Sequence, residues 1–203
     1  MLHSYKPGIP STILKYIGKC ATIGCFFLLL SCEADRTEDD KDKVYFDLKG
    51  FIENQIVYLS EKRPKVSKTT MLDGKSEEVR SSEIDWKKEL ELFSQADINK
   101  PAYRQSYSVS RKDSLHFEYT LKPQMDLPVQ YLRISVDSVT SQPIHIQALL
   151  KSHNKIYTSE KEIELFCSSK DNVWELSTYR VKGYQKLVLM DKRSFAIFSK
   201  IGL

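Results

Sequence analysis

The reactive side chains of this 203-residue chain are few and scattered. Four cysteines occur, Cys20, Cys25, Cys32 and Cys167, and four histidines, three of them (His116, His145 and His153) in the second half of the chain. His116 and His145 sit between apolar neighbours, Leu115/Phe117 and Ile144/Ile146, so each points to the polar side of a strand. Adjacent strands could bring the two imidazoles together as metal ligands, but no carboxylate or Cys follows at ligand spacing, and the plainer expectation is two solvent-facing rings. Ser152-His153-Asn154-Lys155 has the S-x-x-K spacing of an acylated serine beside its lysine. The partner motifs such a nucleophile needs are missing as a set, and Asn154 suits a turn between strands. Cys167 alternates in phase with Ile163 and Leu165, which predicts a buried thiol rather than a nucleophile. Gly50, Gly74, Gly183 and Gly202 are too far apart to form a phosphate-cradling loop, so nucleotide chemistry is not expected. Neither G-x-S-x-G nor H-E-x-x-H occurs. No catalytic, metal or cofactor-binding residue is assigned from the sequence.

Cys32 stands in a different setting. Residues 1–19 carry Lys6, Lys15 and Lys19 and no acid, and residues 20–30 are apolar without a break. Eleven residues at ~1.5 Å each cover ~17 Å of a ~30 Å hydrocarbon core. Extending the run backward buries Lys15 and Lys19, and extending it forward meets Glu33 and Asp35. The segment therefore reads as an export signal and not a membrane span. Its end, Leu29-Leu30-Ser31-Cys32, resembles the lipobox of bacterial lipoproteins. The resemblance implies cleavage between Ser31 and Cys32, a diacylglycerol thioether on Cys32 and acylation of the new amine. It also implies a cell-envelope location on the outer membrane of a Gram-negative bacterium, either facing the periplasm or displayed at the surface. Glu33 and Asp35, just after the lipidated position, fit display loosely.

Charge follows the same division. The chain has 31 Lys and Arg against 27 Asp and Glu, but three of the bases lie in the leader, leaving 28 against 27. A nucleic-acid partner needs a surplus of positive charge to displace counterions, and almost none remains. Residues 32–43 hold many charges and no large apolar side chain, the composition of a solvated tether. With Cys167 the sole thiol of the remaining domain, residues 44–203, a disulfide is not expected there and the fold must stand on its core.

The elements of that domain follow from periodicity. Val44, Leu48, Phe51, Ile52 and Leu59 share one helical stripe, predicting a helix over 44–62 that Pro64 stops. Lys62, Arg63, Lys65 and Lys68 cluster at its solvated end. Residues 66–79 read as a hairpin about Asp73-Gly74, a pair that favours a type I′ turn, lying on an edge or projecting into solvent. A second helix is expected over 83–97, with Ser82 and Asp85 as a capping arrangement and Trp86, Leu90, Phe93 and Ala96 on its core face. From Tyr103 onward the period falls to two, through Tyr107 and Val109, Leu115 to Tyr119, Leu132 to Val136, Ile144 to Leu150, Ile163 to Cys167 and Val173 to Tyr184. Leu187–Met190 and Phe195–Phe198 read as two last strands, apolar on both faces and covered on both. Many of the eleven tyrosines lie in these strands, where the residue is favoured.

This order predicts an α+β fold: two N-terminal helices with a small hairpin, packed on a curved antiparallel sheet of about seven or eight strands. The expected function is a non-catalytic, lipid-anchored envelope module that binds an envelope protein or other ligand. Two further readings stay open at this point. One is a carrier or chaperone for a small apolar molecule in a half-barrel cavity, a shape similar to envelope lipid carriers. The other is a hydrolase built on two acids that converge in a cleft.

Overall fold

A computed structural model describes residues 43–111, 113–170 and 173–202. The expected leader with Ser31, the expected lipidation position Cys32 and all of the expected tether but residue 43 lie outside the described residues.

The class is α+β; the described residues form two α-helices and an open antiparallel sheet of nine strands rather than seven or eight. Helix α1, Leu48–Lys62, leads into the hairpin β1 (Val66–Leu72) and β2 (Lys75–Ser81). Helix α2, Trp86–Ser94, follows, and a 3-10 turn over Pro101–Tyr103 leads into the meander. Its strands are β3 (Tyr107–Arg111), β4 (His116–Leu121), β5 (Val129–Val136), β6 (Pro143–His153), β7 (Tyr157–Lys170), β8 (Val173–Leu187) and β9 (Arg193–Ile201). The spatial order is β2-β1-β9-β8-β7-β6-β5-β4-β3. The early hairpin thus docks β1 on the last strand, and β2 and β3 form the two edges. Asp73 and Gly74 take φ of 47° and 82°, as the I′ turn of that hairpin requires.

Both helices begin later than periodicity suggested. The Asp47 carboxylate accepts from Gly50 N–H at 3.0 Å and caps α1 at Leu48, not at Val44. Upstream, Asn99 clasps the backbone, accepting from Tyr45 N–H at 2.9 Å and donating to the Phe46 carbonyl at 2.8 Å. That clasp holds 45–46 out of the helix, which therefore starts four residues later than the apolar stripe. Asp85, rather than Ser82, caps α2, which ends at Ser94 while Ala96 and Ile98 remain buried in the following segment.

One core lies between the helices and one face of the sheet. Leu48, Ile52 and Leu59 of α1 and Trp86, Leu90 and Phe93 of α2 meet Leu132, Ile134, Ile146, Ile163, Leu165, Tyr179 and Val181. Polar fasteners cross this layer. Beyond Thr178, β8 has no β9 residue beside it, and Gln55 of α1 takes that place. Its Oε1 accepts from Leu176 N–H at 2.8 Å and its Nε2 donates to the Trp174 carbonyl at 3.4 Å. Glu89 of α2 is held by Lys68 at 2.6 Å and by the Tyr179 hydroxyl. At Gly183 a Cβ would lie 2.1 Å from the Glu160 carbonyl oxygen of the paired strand, so β7 and β8 approach there only because the side chain is absent.

The last two expected strands are corrected. Residues 187–190 are the end of β8 and the loop beyond it, with Leu189 96% exposed. β9 is a strand, but Phe198 is exposed and only one of its faces is buried against the helices.

Candidate functional site

Successive strand residues alternate between the helix-covered face and the opposite, open one. Register then lines up the outward residues in rows. Glu118, Arg133, Gln147, Glu164, Arg180, Phe198 and Thr69 form one such row across seven strands. A neighbouring row runs Thr120, Tyr131, Leu149, Glu162, Lys182, Ala196 and Met71. On the other side runs His116, Ser135, His145 and Phe166.

Charge and aromatic rings interlock on this face. Arg133 donates to Glu118 at 2.9 and 3.0 Å, and its guanidinium stands 4.2 Å from the Tyr131 ring centre. Lys182 and Gln147 both reach Glu162, at 2.8 and 2.6 Å. The Lys182 ammonium, foremost, holds the Glu162 carboxyl below the usual range against the opposing effect of burial, and Glu162 in turn raises Lys182. Arg180 approaches Glu164 at 4.0 Å and lies between the Phe166 and Phe198 rings, 5.2 and 5.3 Å from their centres. His145 stacks on Phe166 at 4.5 Å with the rings 12° apart, and its Nε2 is 3.5 Å from Glu164.

Two hollows open here. The larger, about 270 Å3, is lined by Met71, Glu162, Glu164, Arg180, Lys182 and Phe198 among others. The smaller, about 120 Å3, lies between His116, Glu118, Arg133, His145 and Gln147. Together they are lined by alternating charge, a planar cation and ring faces.

The chain matches no protein family, no curated protein and no solved structure.

The residues singled out from sequence fall as follows. His116 and His145 share a cross-strand row but stand two strands apart, each with another partner; His116 Nδ1 pairs with Asp113 at 2.8 Å. Among the described residues no three His, Cys, Asp or Glu side chains gather as a metal-holding group. Ser152 and Lys155 lie in and beyond the end of β6, at an exposed turn where Asn154 Oδ1 accepts from Ile156 N–H at 3.0 Å. Cys167 is buried on the helix side, and burial pushes its thiol up to about 12. Trp86 is core. Of the basic cluster, Lys62 pairs with Glu175 and Lys68 with Glu89. No helix among the described residues is long and apolar enough to cross a membrane.

The Glu162–Glu164 and Arg180–Lys182 set went unread in the sequence, although its signal is there. Glu160, Glu162 and Glu164 alternate with Ile163 and Leu165, and Arg180 and Lys182 alternate with Tyr179 and Val181. Pairing the two segments as a hairpin sets acids against bases on one face.

Proposed function

We propose that the protein is a lipid-anchored cell-envelope module that binds a partner through the open face of its sheet. Cleavage after Ser31 leaves Cys32 as the acylated N-terminus, and residues 32–43 tether the domain to the outer membrane. What supports the binding role is one observation: the face opposite the helices carries an ordered ladder of paired charges and exposed rings around a hollow of about 270 Å3. A surface that merely keeps a domain in solution does not need the Arg180 guanidinium within 5.2 and 5.3 Å of the Phe166 and Phe198 ring centres. The hydrolase reading draws less support. Glu162 and Glu164 line one hollow, but Glu162 is held ionised by Lys182 and Gln147, which suits ion pairing and not proton donation. The carrier reading requires an apolar cavity between a curved sheet and its helices, whereas these two hollows lie on the other face.

Two measurements test the proposal. Labelled palmitate should enter the wild-type chain and not Cys32→Ala; incorporation into neither removes the anchor. A photo-crosslinking residue at Phe198 in intact cells should give a discrete adduct that Arg180→Glu abolishes. An adduct pattern indifferent to Arg180, or equal to that from exposed Glu53 on α1, removes the open face as the binding surface.

A further inference from the structure

Three turns lie side by side at one end of the sheet. The β6–β7 turn adjoins the loop after β8, where Val188 N–H donates to the Ile156 carbonyl at 3.1 Å. The β1–β2 turn adjoins the start of β9, where Asp73 N–H donates to the Ser194 carbonyl at 3.0 Å and Asp73 pairs with Arg193 at 2.9 Å. On these turns stand aliphatic side chains in water: Ile156 67% exposed, Val188 63%, Leu189 96% and Met190 54%. Leu72 is exposed beside them. An apolar patch on three projecting turns contributes nothing to the core, and clustered exposure of this kind marks a contact surface.

The same end is cationic. Lys75, Lys155, Lys186, Lys192 and Arg193 lie on or beside these turns, against Asp73 and Asp191; Arg193 pairs with Asp73, and the Lys192 ammonium stands 3.7 Å from the Tyr184 ring centre. The domain as a whole is nearly neutral, so this excess is local. The patch itself holds aliphatic residues, whereas protein-binding centres favour aromatic anchors. The hollow nearest to it, about 280 Å3 between Leu72, Gln185, Arg193 and Phe195, is open to solvent and has none of Ile156, Val188, Leu189 or Met190 in its lining. Projecting aliphatics with lysines beside them suit a soft phase with an apolar interior and negative headgroups.

Register adds an independent observation. Following paired residues from Leu72 through Phe195, Gly183, Lys161 and Leu150 leads to Val129, whose carbonyl accepts from the Tyr107 hydroxyl at 2.9 Å. Tyr45, two residues from the first described one, packs its ring against Tyr107 at 5.8 Å. The chain therefore joins the domain at the end of the sheet that bears the turns.

We propose that this end is a lipid-docking site, at which Ile156, Val188, Leu189 and Met190 enter the headgroup–acyl boundary of an anionic bilayer while Lys155, Lys186 and Lys192 meet its phosphates. The contact goes beyond the covalent anchor and does not require it, so each can fail alone. Docking there would set the domain's orientation and leave the open face running away from the bilayer.

The test uses residues 33–203, which lack Cys32 and contain the whole compact unit 43–203 with its core. Leu189→Cys is labelled with an environment-sensitive nitrobenzoxadiazole dye; buried Cys167 stays unlabelled. On vesicles of phosphatidylethanolamine with phosphatidylglycerol at low salt the dye should brighten and shift to the blue, and on phosphatidylcholine it should not. In cosedimentation, Val188→Asp with Met190→Asp should weaken vesicle binding by about tenfold or more, and Lys186→Glu with Lys192→Glu should remove the phosphatidylglycerol dependence. An unchanged far-ultraviolet circular dichroism spectrum shows that these exposed substitutions leave the fold intact. A dye that stays in water on every vesicle overturns the proposal. So does a shift without lipid that grows with protein concentration, which assigns the patch to a second copy.

Discussion

The covered and open faces of the sheet draw on the same strands, alternate residue by alternate residue, yet hold together in different ways. On the covered face, Ile163, Leu165, Tyr179 and Val181 are buried against two helices, and the few polar groups there act as fasteners between layers. On the open face, Glu162, Glu164, Arg180 and Lys182 occupy the intervening positions and pair with one another in partial contact with water. Burial of apolar surface contributes far more per residue than a screened ion pair. The covered face thus supplies the stability that lets the open face be chosen for other reasons.

The sharpest way to break that contrast is to truncate two consecutive residues. Leu165→Ala should cost about 3 kcal/mol, a buried leucine's usual loss, while Phe166→Ala next to it should cost under about 1 kcal/mol. Chemical denaturation midpoints read both; equal losses would mean that the open face is also core. Gly183→Ala comes next. The added carbon meets a backbone oxygen that cannot swing aside, and the forced shift should cost about 2 kcal/mol by the same measurement. A neutral result would show that β7 and β8 can separate there. Gln55→Leu keeps most of the volume but leaves Leu176 N–H without its partner, a loss of about 1–2 kcal/mol; hydrogen exchange should quicken first at Leu176.

Two smaller effects should run oppositely with pH. Burial chiefly raises the Asp97 carboxyl, one of whose oxygens has no partner. A raised folded value is favourable in acid and is lost as pH rises through it, so Asp97→Asn should stabilise by up to about 1 kcal/mol at neutral pH and by nothing once the wild-type carboxyl is protonated. On the open face the Lys182 partner lowers Glu162. That contribution is present above the unfolded carboxyl's value and fades as pH falls through the folded one. Because Lys182 is largely in water, Glu162→Gln should cost about 0.5 kcal/mol or less near neutrality and nothing in acid. Melting temperatures across the acid range separate the two signs.

The covered face was the legible one. A stripe of Leu48, Ile52 and Leu59, the alternation ending at Cys167, and Asp73-Gly74 each state their own structure locally. The open face was not, because its meaning lies in register. Which base meets Glu162 depends on how β7 and β8 pair, and the bulge between Phe166 and Cys167 shifts that pairing partway along. Leu187–Met190 misled for a related reason. Four apolar residues read as a doubly covered strand, but the strand's length was already spent: β8 runs fifteen residues before the loop begins. Apolar composition reports what a segment could bury, and where the hairpin turns decides whether it does.

The strand at one margin of the sheet carries Lys75, Glu77, Glu78 and Arg80 along seven residues. Two copies that met there by a twofold antiparallel pairing over all seven residues would set Glu78 against Glu78 at the centre, like charge on like charge, and Glu77 against Val79 on either side. A charged selvedge of this sort keeps such encounters brief, so that the sheet ends where the molecule does instead of knitting into a ribbon of many chains.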